Sequence, residues 1–256
     1  QAIDINMGCP VQKALRHNYG VALMGDSEYA AEVVRMTVRS TSLPVSVKLR
    51  AGRSQDPKVE NDFDFLRRFA QGLERAGASW LCLHPRTPEQ KRRGSADWEQ
   101  IRKLREEVKI PIIGNGDIQT WQDVFRMIDE THCDMVMAGR ALAAKPWMLW
   151  QVGDKLGLST PLAQSGRGVP WTSEEEGAEY CRCLLRLVEY CGQVFPEPLA
   201  LRKIVFYVRT TSVWLNFGHE LFSRVTKAKS LDGVRDAVSS FFEIPQAMFQ
   251  RTQLRE

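Results

Sequence analysis

The sequence contains few features that would place the protein in a membrane or outside the cell. No apolar run approaches the roughly 18 residues that a membrane-spanning helix needs. No basic and apolar leader is visible, so we expect no secretion. The six cysteines are spread over 256 residues rather than arranged as a disulfide framework, which predicts a reducing, cytoplasmic location.

Metal-binding spacings are also missing. Cys181, Cys183 and Cys191 lack the spacing of a zinc site, so we interpret them as core thiols and expect no metal. A net charge of +4 permits a polyanionic partner without requiring one. The remaining composition is that of an ordinary globular protein, with 43% hydrophobic and 26% charged residues.

Short apolar segments bounded by glycine or proline recur along the first part of the chain, and each predicts a buried strand. The five segments are residues 2–6, 44–50, 80–86, 111–117 and 135–140. Helical patterns separate them, at residues 27–40, 64–78, 97–108 and 120–131. This alternation is typical of a parallel sheet, whose carboxyl edge carries the chemistry.

Five strands are too few for a closed barrel. The alternatives are an open doubly wound sheet, or a (β/α)8 TIM barrel whose first three strands precede Gln1. The chain starts inside a strand, which we interpret as a protein cut at its N-terminus.

The second part of the chain predicts helices alone, at residues 174–195, 199–214 and 230–243. Residues 158–176 are rich in Pro, Gly and Ser and are interpreted as a linker. We therefore expect a sheet domain over 1–157 and an all-helical domain over 177–256.

Four polar side chains follow or end the predicted strands. Cys9, in DINMGCP, is either a proton donor or nucleophile, or an inert packed thiol. Lys48 needs an opposite charge, which a bound anion, a flavin or a nearby carboxylate would supply. His84 is either a donor to a ring or phosphate, or a structural histidine. Arg86 is either a phosphate or base contact, or one half of a surface ion pair.

Glycine-containing turns end the last two strands, in GNGDI (114–118) and AGRAL (138–142). Backbone N–H groups at such turns hold phosphate, so the pair predicts a phosphate-bearing cofactor. Two ordinary tight turns are the alternative.

Two cationic clusters are compatible with nucleic acid. Arg86, Lys91, Arg92 and Arg93 fall within eight residues. The second cluster, on one predicted helix, comprises Arg202, Lys203 and Arg209 with Phe206 and Tyr207. A solvated surface is the alternative for the first cluster, and an amphipathic core helix is the alternative for the second.

Taken together, the motifs resemble the flavin-dependent tRNA dihydrouridine synthases. The resemblance rests, in chain order, on DINMGCP, YGVALMGD, VSVKLR, LHPRTPEQ with RGSADW, IIGNGDI and MAGRAL. LRKIVFYV (201–208) matches more loosely. The resemblance implies a (β/α)8 barrel with FMN at its carboxyl face and a helical domain that grips tRNA. It implies reduction of the C5=C6 bond of particular uridines with electrons from NADPH.

The resemblance also assigns roles to residues of this chain. Cys9 would be the catalytic acid that protonates uracil C5, and Asn6 would hold the uracil. The isoalloxazine ring, ribityl chain and phosphate of FMN would be bound by Lys48, His84, Asn115, Gly116, Asp117, Gly139 and Arg140. Cationic side chains would contact the tRNA or its uracil, namely Arg86, Arg92, Arg93, Arg202 and Lys203.

The sequence departs from the family pattern at Pro85, where glycine is usual, and in lacking the family's first three strands. Two other functions stay open: an FMN-barrel oxidoreductase acting on a free pyrimidine, and a non-catalytic RNA-binding fragment. We expect a monomer.

Overall fold

The structure, a computed structural model, describes residues 1–52, 62–159 and 166–253. The chain forms two compact units. The first comprises Gln1–Ile118 and Gln122–Ala138, and the second comprises Gly139–Arg255 with Gln119–Trp121. Within the described ranges, no helix is both long enough and apolar enough to cross a membrane.

The first unit contains one sheet of five parallel strands, whose order in space is their order in the chain. The strands are β1 (Ile3–Asn6), β2 (Val45–Arg50), β3 (Trp80–His84), β4 (Ile112–Asn115) and β5 (Met135–Met137). All five predicted strands are confirmed, as is the α/β class with a parallel sheet. Each strand is somewhat shorter than its apolar segment, because the flanking residues turn into loops.

Among the described residues of this unit, five α-helices follow the strands or connect them. They are α1 (Gln12–Arg16), α2 (Ser27–Arg39), α3 (Phe63–Arg75), α4 (Trp98–Glu107) and α5 (Trp121–Thr131). The carboxylate of Asp26 accepts a hydrogen bond from the Tyr29 N–H and so caps α2. Asp62 caps α3 in the same way. The four predicted helices of this region are confirmed as α2 to α5.

The two faces of the sheet differ in composition. Val45, Val47 and Leu49 alternate along β2 and are fully buried on the face that the helices cover. The opposite face carries polar side chains, because the intervening residues Ser46, Lys48 and Arg50 point the other way. On this face Met135 of β5 is 61% exposed.

The second unit is helical in its described residues. Its helices are α6 (Arg140–Ala144), α7 (Met148–Lys155), α8 (Ser173–Val194), α9 (Glu197–Thr211), α10 (Gly218–Lys227) and α11 (Leu231–Phe241). The three predicted helices are confirmed as α8, α9 and α11. Buried apolar side chains of these helices form one core, including Tyr180, Leu184, Ile204, Val208, Leu221, Val225, Val234 and Val238.

The start of α8 lies within the segment interpreted as a linker. The Thr172 hydroxyl accepts from the Glu175 N–H, and the Glu175 carboxylate accepts from the Thr172 N–H. This capping box fixes the first turn. The hydrogen bonds from Thr172 and Trp171 lower the pKa of Glu175. The compact units divide at Gly139, and the division at residues 157 and 177 stays a prediction.

Candidate active site at the carboxyl edge of the sheet

Asn6, the last residue of β1, organises the segment that carries Cys9. Its side-chain Oδ1 accepts hydrogen bonds from the backbone N–H groups of Gly8 (3.0 Å) and Cys9 (3.1 Å). We refer to residues 7–11 as the Cys9 loop. Cys9 itself is a free, half-buried thiol. The Asn6 side chain therefore sets the path of the loop in addition to facing the site.

Gly20 closes the Cys9 loop from the other side. The Val21 N–H donates to the Cys9 carbonyl at 3.1 Å. Gly20 has a φ of +62°, and a Cβ there would lie 2.8 Å from the Cys9 carbonyl oxygen. A side chain at this position would push the loop away, so the glycine of the YG dipeptide is required by close approach.

Lys48 lies in one row with side chains of the neighbouring strands. The register pairs it with Asn6 on β1 and with Cys82 on β3. Its side chain is half-buried, and among the described residues no carboxylate lies within ion-pair distance of it. Of the three partners left open by the sequence, the nearby protein carboxylate is thus not found in the described ranges.

Cys82 is a second thiol on the same face. Burial raises its pKa to about 12, against the opposing influence of the Lys48 charge. Its Sγ lies 3.6 Å from the Met137 Sδ. Cys82 is therefore a neutral, packed thiol at physiological pH.

Arg86 is buried, in contrast to the surface position expected for a direct RNA contact. Its side chain is 2% exposed, and its Nη2 lies 2.7 and 2.8 Å from the two carboxylate oxygens of Asp117. The same guanidinium donates to the carbonyls of Arg93 and Gly94. Of the alternatives left open by the sequence, the ion pair is found, although it is buried rather than on the surface, and the contact of Arg86 with RNA or uracil stays a prediction.

Arg86 also contacts His84, the last residue of β3. Arg86 Nη1 lies 3.1 Å from His84 Nε2. A guanidinium has no lone pair to accept with, so Nε2 must be the acceptor. In this contact the Arg86 Nη1 donates and the His84 Nε2 accepts.

The turn after β4 packs tightly against the same loop. Gly116 has a φ of +127°, and a Cβ there would lie 2.7 Å from the Ala96 Cβ. Asp117 also has a positive φ, +58°, and accepts from the Ala96 N–H at 2.7 Å. Asn115 Nδ2 donates to the Met137 carbonyl at 2.7 Å, which joins β4 to β5. The side chains of Asn115 and Asp117 therefore form hydrogen bonds within the protein itself.

Residues 85–97, which we call the basic loop, present three cations. Lys91, Arg92 and Arg93 are exposed. The Asp97 N–H donates to the Pro85 carbonyl at 3.2 Å, so the two ends of the loop meet. The charges are thus carried on a closed, braced loop.

Arg50, at the end of β2, is a site residue that the sequence motifs do not single out. It is 7% exposed and bonds to the Cys9 loop and to the basic loop. Its Nε donates to the carbonyl of Gly8, in the Cys9 loop, at 2.9 Å. Its Nη1 donates to the carbonyls of Thr87 (3.2 Å) and Lys91 (2.9 Å). The signal in the sequence is its place two residues after Lys48, on the same face of the strand.

The helix α1, which follows the Cys9 loop in the chain, carries a basic surface that the sequence motifs did not predict. Residues 5–25 contain no Asp or Glu. Lys13 and Arg16 are exposed, and the rings of His17 and Tyr19 stack at 6.5 Å. An aromatic pair and two cations therefore lie next to the thiol in the chain.

The remaining candidates lie in the second unit. Gly139 and Arg140 open α6. Arg202 is exposed on α9, and Lys203 lies 4.7 Å from the centroid of the Phe195 ring. Phe206 is 67% exposed on the same helix. The full burial of Ile204 and Val208 supports the interpretation of α9 as an amphipathic core helix, and its contact with RNA stays a prediction.

Comparison with known proteins gives a family model, Dihydrouridine synthase (Dus), that matches residues 1–167. A probable tRNA-dihydrouridine synthase of Aquifex aeolicus is 36% identical over 165 residues, which cover 63% of this chain and 50% of the relative. That of Rickettsia prowazekii is 30% identical over 241 residues, covering 94% of this chain and 68% of the relative.

The tRNA-dihydrouridine synthase B of Xanthomonas axonopodis is 36% identical over 152 residues, covering 59% of this chain and 44% of the relative. The chain thus spans about half of the length of several curated relatives that it matches. A solved protein of the dihydrodipicolinic acid synthase family from E. coli K12 covers 94% of this chain at 9% identity, with a TM-score of only 0.40. The match of the family model over more than half of the sequence establishes that this chain belongs to the dihydrouridine synthase family.

Proposed function

We propose that the protein is a tRNA-dihydrouridine synthase, an FMN-dependent oxidoreductase that reduces the C5=C6 bond of particular uridines in tRNA with electrons from NADPH. One observation carries the proposal: Asn6, the register partner of Lys48, accepts hydrogen bonds from the backbone N–H groups of Gly8 and Cys9 and so holds the Cys9 loop at the carboxyl edge of the sheet. Cys9, as a proton donor, and Lys48, as a cation, are thereby both at the carboxyl edge of the sheet.

The residues of the sheet face fit a flavin. Flavins present carbonyl and ring-nitrogen acceptors, and Lys48 offers an ammonium that has no carboxylate partner in the described ranges. We assign Lys48 and His84 to the ring or its ribityl chain. The turns at Asn115, Gly116 and Asp117, and Gly139 with Arg140, are assigned to the ribityl and phosphate groups.

Cys9 and Asn6 act on the uracil. When bound, FMN that has been reduced by NADPH supplies the hydride for uracil C6. Cys9 holds the proton that C5 receives and is left as a thiolate. Asn6 uses Oδ1 for the Cys9 loop, which leaves its Nδ2 donor to hold a uracil oxygen.

Cations of both units supply contacts to tRNA. We assign the backbone phosphates to Arg92 and Arg93 of the basic loop and to Arg202 and Lys203 of α9. The target uridine must leave its stack to reach the site, which costs roughly a few kcal/mol. Arg86 contributes indirectly, by bracing the basic loop.

We also propose that the sheet is part of a (β/α)8 barrel completed by three further strands. Its strand order runs without a reversal, whereas a doubly wound sheet reverses direction at a switch point. The polar face with the exposed Met135 is the face that a barrel interior would cover. The helical domain over 177–256, the cytoplasmic location and the monomeric state stay predictions.

The test begins with the visible absorption of the purified chain mixed with FMN and then desalted, followed by NADPH-dependent reduction of unmodified tRNA. Dihydrouridine in the digested tRNA, detected by mass spectrometry, is the expected result. Reduction of free uracil instead of tRNA would indicate the pyrimidine oxidoreductase. A third outcome is salt-sensitive tRNA binding with no retained flavin. If a longer protein that contains this sequence also retained no flavin, this outcome would indicate an RNA-binding fragment.

A further inference from the structure

One face of α9 carries an exposed aromatic ring between two cations. Phe206 is 67% exposed, and the exposed Arg202 and Arg209 lie one turn before it and one turn after it. Residues at these spacings share one side of a helix, and the two arginines are about 10 Å apart along its axis. We refer to Arg202, Phe206 and Arg209 as the α9 stripe.

The opposite side of α9 holds the stripe in place. Ile204 and Val208 are fully buried in the core of the second unit. The Tyr207 hydroxyl donates to the Ala143 carbonyl at 2.9 Å and so connects α9 to α6. The Phe206 ring is thus presented from an anchored helix, and a ring with only two side-chain torsions loses little entropy when it binds a partner.

The cations of α9 have no carboxylate to compensate them. In the described part of the chain, none of Arg202, Lys203 and Arg209 forms an ion pair, and residues 198–219 contain no Asp or Glu. Exposed arginines of the neighbouring helices do pair with a carboxylate one turn away: Arg186 with Glu189, Arg224 with Glu220 and Arg235 with Asp232. The charge of the α9 stripe is therefore available to an external anion.

Tyr190 of α8 shows how an exposed ring differs when its surroundings are satisfied. It is 50% exposed, but the Arg186 guanidinium carbon lies 4.7 Å from the centroid of its ring. Arg186 in turn pairs with Glu189. Among the described residues, neither a cation nor a second ring lies against Phe206. The face of the Phe206 ring is open, whereas that of Tyr190 is covered.

We propose that Phe206 is a stacking platform for an unpaired base of tRNA, with Arg202 and Arg209 binding the phosphates on either side of that nucleotide. An unpaired base offers a free π face to an aromatic side chain, whereas the bases of a duplex are stacked on one another. The inference rests on the proposed function for its partner, tRNA. It adds that α9 contacts a single-stranded or loop region.

The first experiment is the binding of an unmodified tRNA transcript to Phe206→Leu, measured by filter binding at several salt concentrations. Leucine keeps an apolar side chain but has no ring to stack on, so we expect the Kd to rise about tenfold. The slope of log Kd against log salt should stay the same, because no charge is lost. Phe206→Trp should bind at least as tightly as the native chain.

Tyr190→Leu is the matched control, since it removes an exposed ring whose neighbouring charge is already paired. Its affinity for tRNA should equal that of the native chain. Circular dichroism checks that each variant folds.

A long, blunt-ended RNA duplex separates stacking from general attraction to phosphate. Phe206→Leu should bind the duplex as the native chain does, because the interior bases are not free to stack on the protein. Arg209→Ala should weaken binding to tRNA and reduce the salt slope by about one.

The proposal is overturned if Phe206→Leu binds tRNA as tightly as the native chain, or if its affinities for tRNA and duplex fall equally. A dimer that depends on Phe206 in analytical ultracentrifugation, with tRNA affinity unchanged, would assign the ring to a contact with a second copy of the chain. That result would overturn the proposal as well.

These binding measurements need neither flavin nor NADPH. Phe206-dependent tRNA binding by a protein that forms no dihydrouridine would contradict the proposed function and leave the stacking platform standing. An active enzyme whose Kd and KM for tRNA are the same in Phe206→Leu would keep the proposed function and remove the platform. Absence of tRNA binding by the native chain would overturn both.

Discussion

Cys9 and Cys82 are two thiols of the same unit with different surroundings. Cys9 is half-buried on a loop, whereas burial raises the pKa of Cys82 to about 12. Since the thiolate is the reactive form, Cys82 stays unreactive at neutral pH while Cys9 remains accessible. Cys82→Ala is therefore a suitable control for Cys9→Ala.

For Cys9→Ala, we expect a flavin-loaded enzyme to keep its FMN and to lose turnover by about a hundredfold or more, because the proposed proton donor is gone. Cys82→Ala should keep most of the activity. Single-turnover oxidation of the reduced flavin by tRNA measures the step directly. Full activity of Cys9→Ala would remove Cys9 from the mechanism.

For Lys48→Ala, we expect FMN affinity to fall by about tenfold or more, since the half-buried cation that we assign to the flavin is lost. Flavin fluorescence titration gives the Kd. Lys103→Ala, on α4, is a lysine control remote from the polar face. An unchanged Kd would make Lys48 a structural residue.

At the scale of elements, the basic loop depends on one buried ion pair. Arg86 and Asp117 connect residues 85–97 to the turn after β4, and Asp117 retains some exposure. Removing one partner leaves the other charge without compensation. The loop and the turn should consequently lose order together.

Arg86→Ala should lower the free energy of unfolding by about 2–3 kcal/mol, less than for a fully buried pair because Asp117 is partly solvated. Urea denaturation measures the change. The double variant Arg86→Ala/Asp117→Ala should be less destabilised than the sum of the two single variants. Strict additivity would mean that the pair does not couple the two segments.

Gly116→Ala should lower the free energy of unfolding by about 1–3 kcal/mol, because the added Cβ meets Ala96 at a positive φ. Gly25→Ala is the matched control, since a Cβ there has no neighbour within 4 Å. Thermal unfolding of both variants provides the comparison. Equal melting temperatures would contradict the tight turn.

At the scale of the whole molecule, charge governs the proposed contact with tRNA. Each phosphate contact releases counterions, so affinity should fall steeply as salt rises. Arg92→Ala, Arg93→Ala and Arg202→Ala should each reduce the slope of log Kd against log salt by about one. Filter binding at several salt concentrations tests this, and Lys103→Ala should leave the slope unchanged.

The sequence predicts the elements better than the contacts between them. The strands could be recognised because Val, Ile and Leu segments end at Gly or Pro, whereas α10 has no counterpart among the predicted helices. Its Leu221 and Val225, four residues apart and both buried, are too short a pattern on their own. The burial of Arg86 and the reach of Arg50 depend on strand register and loop closure, which no local pattern encodes.

The acid-free stretch around α1 has a kinetic consequence. With Lys13 and Arg16 exposed and no carboxylate among residues 5–25, the segment that carries Cys9 has a positive net charge. A polyanion diffusing nearby would be drawn toward the thiol before any specific contact forms. Encounter frequency, and not only the strength of the final complex, would then be set by the same short segment that carries the reactive sulfur.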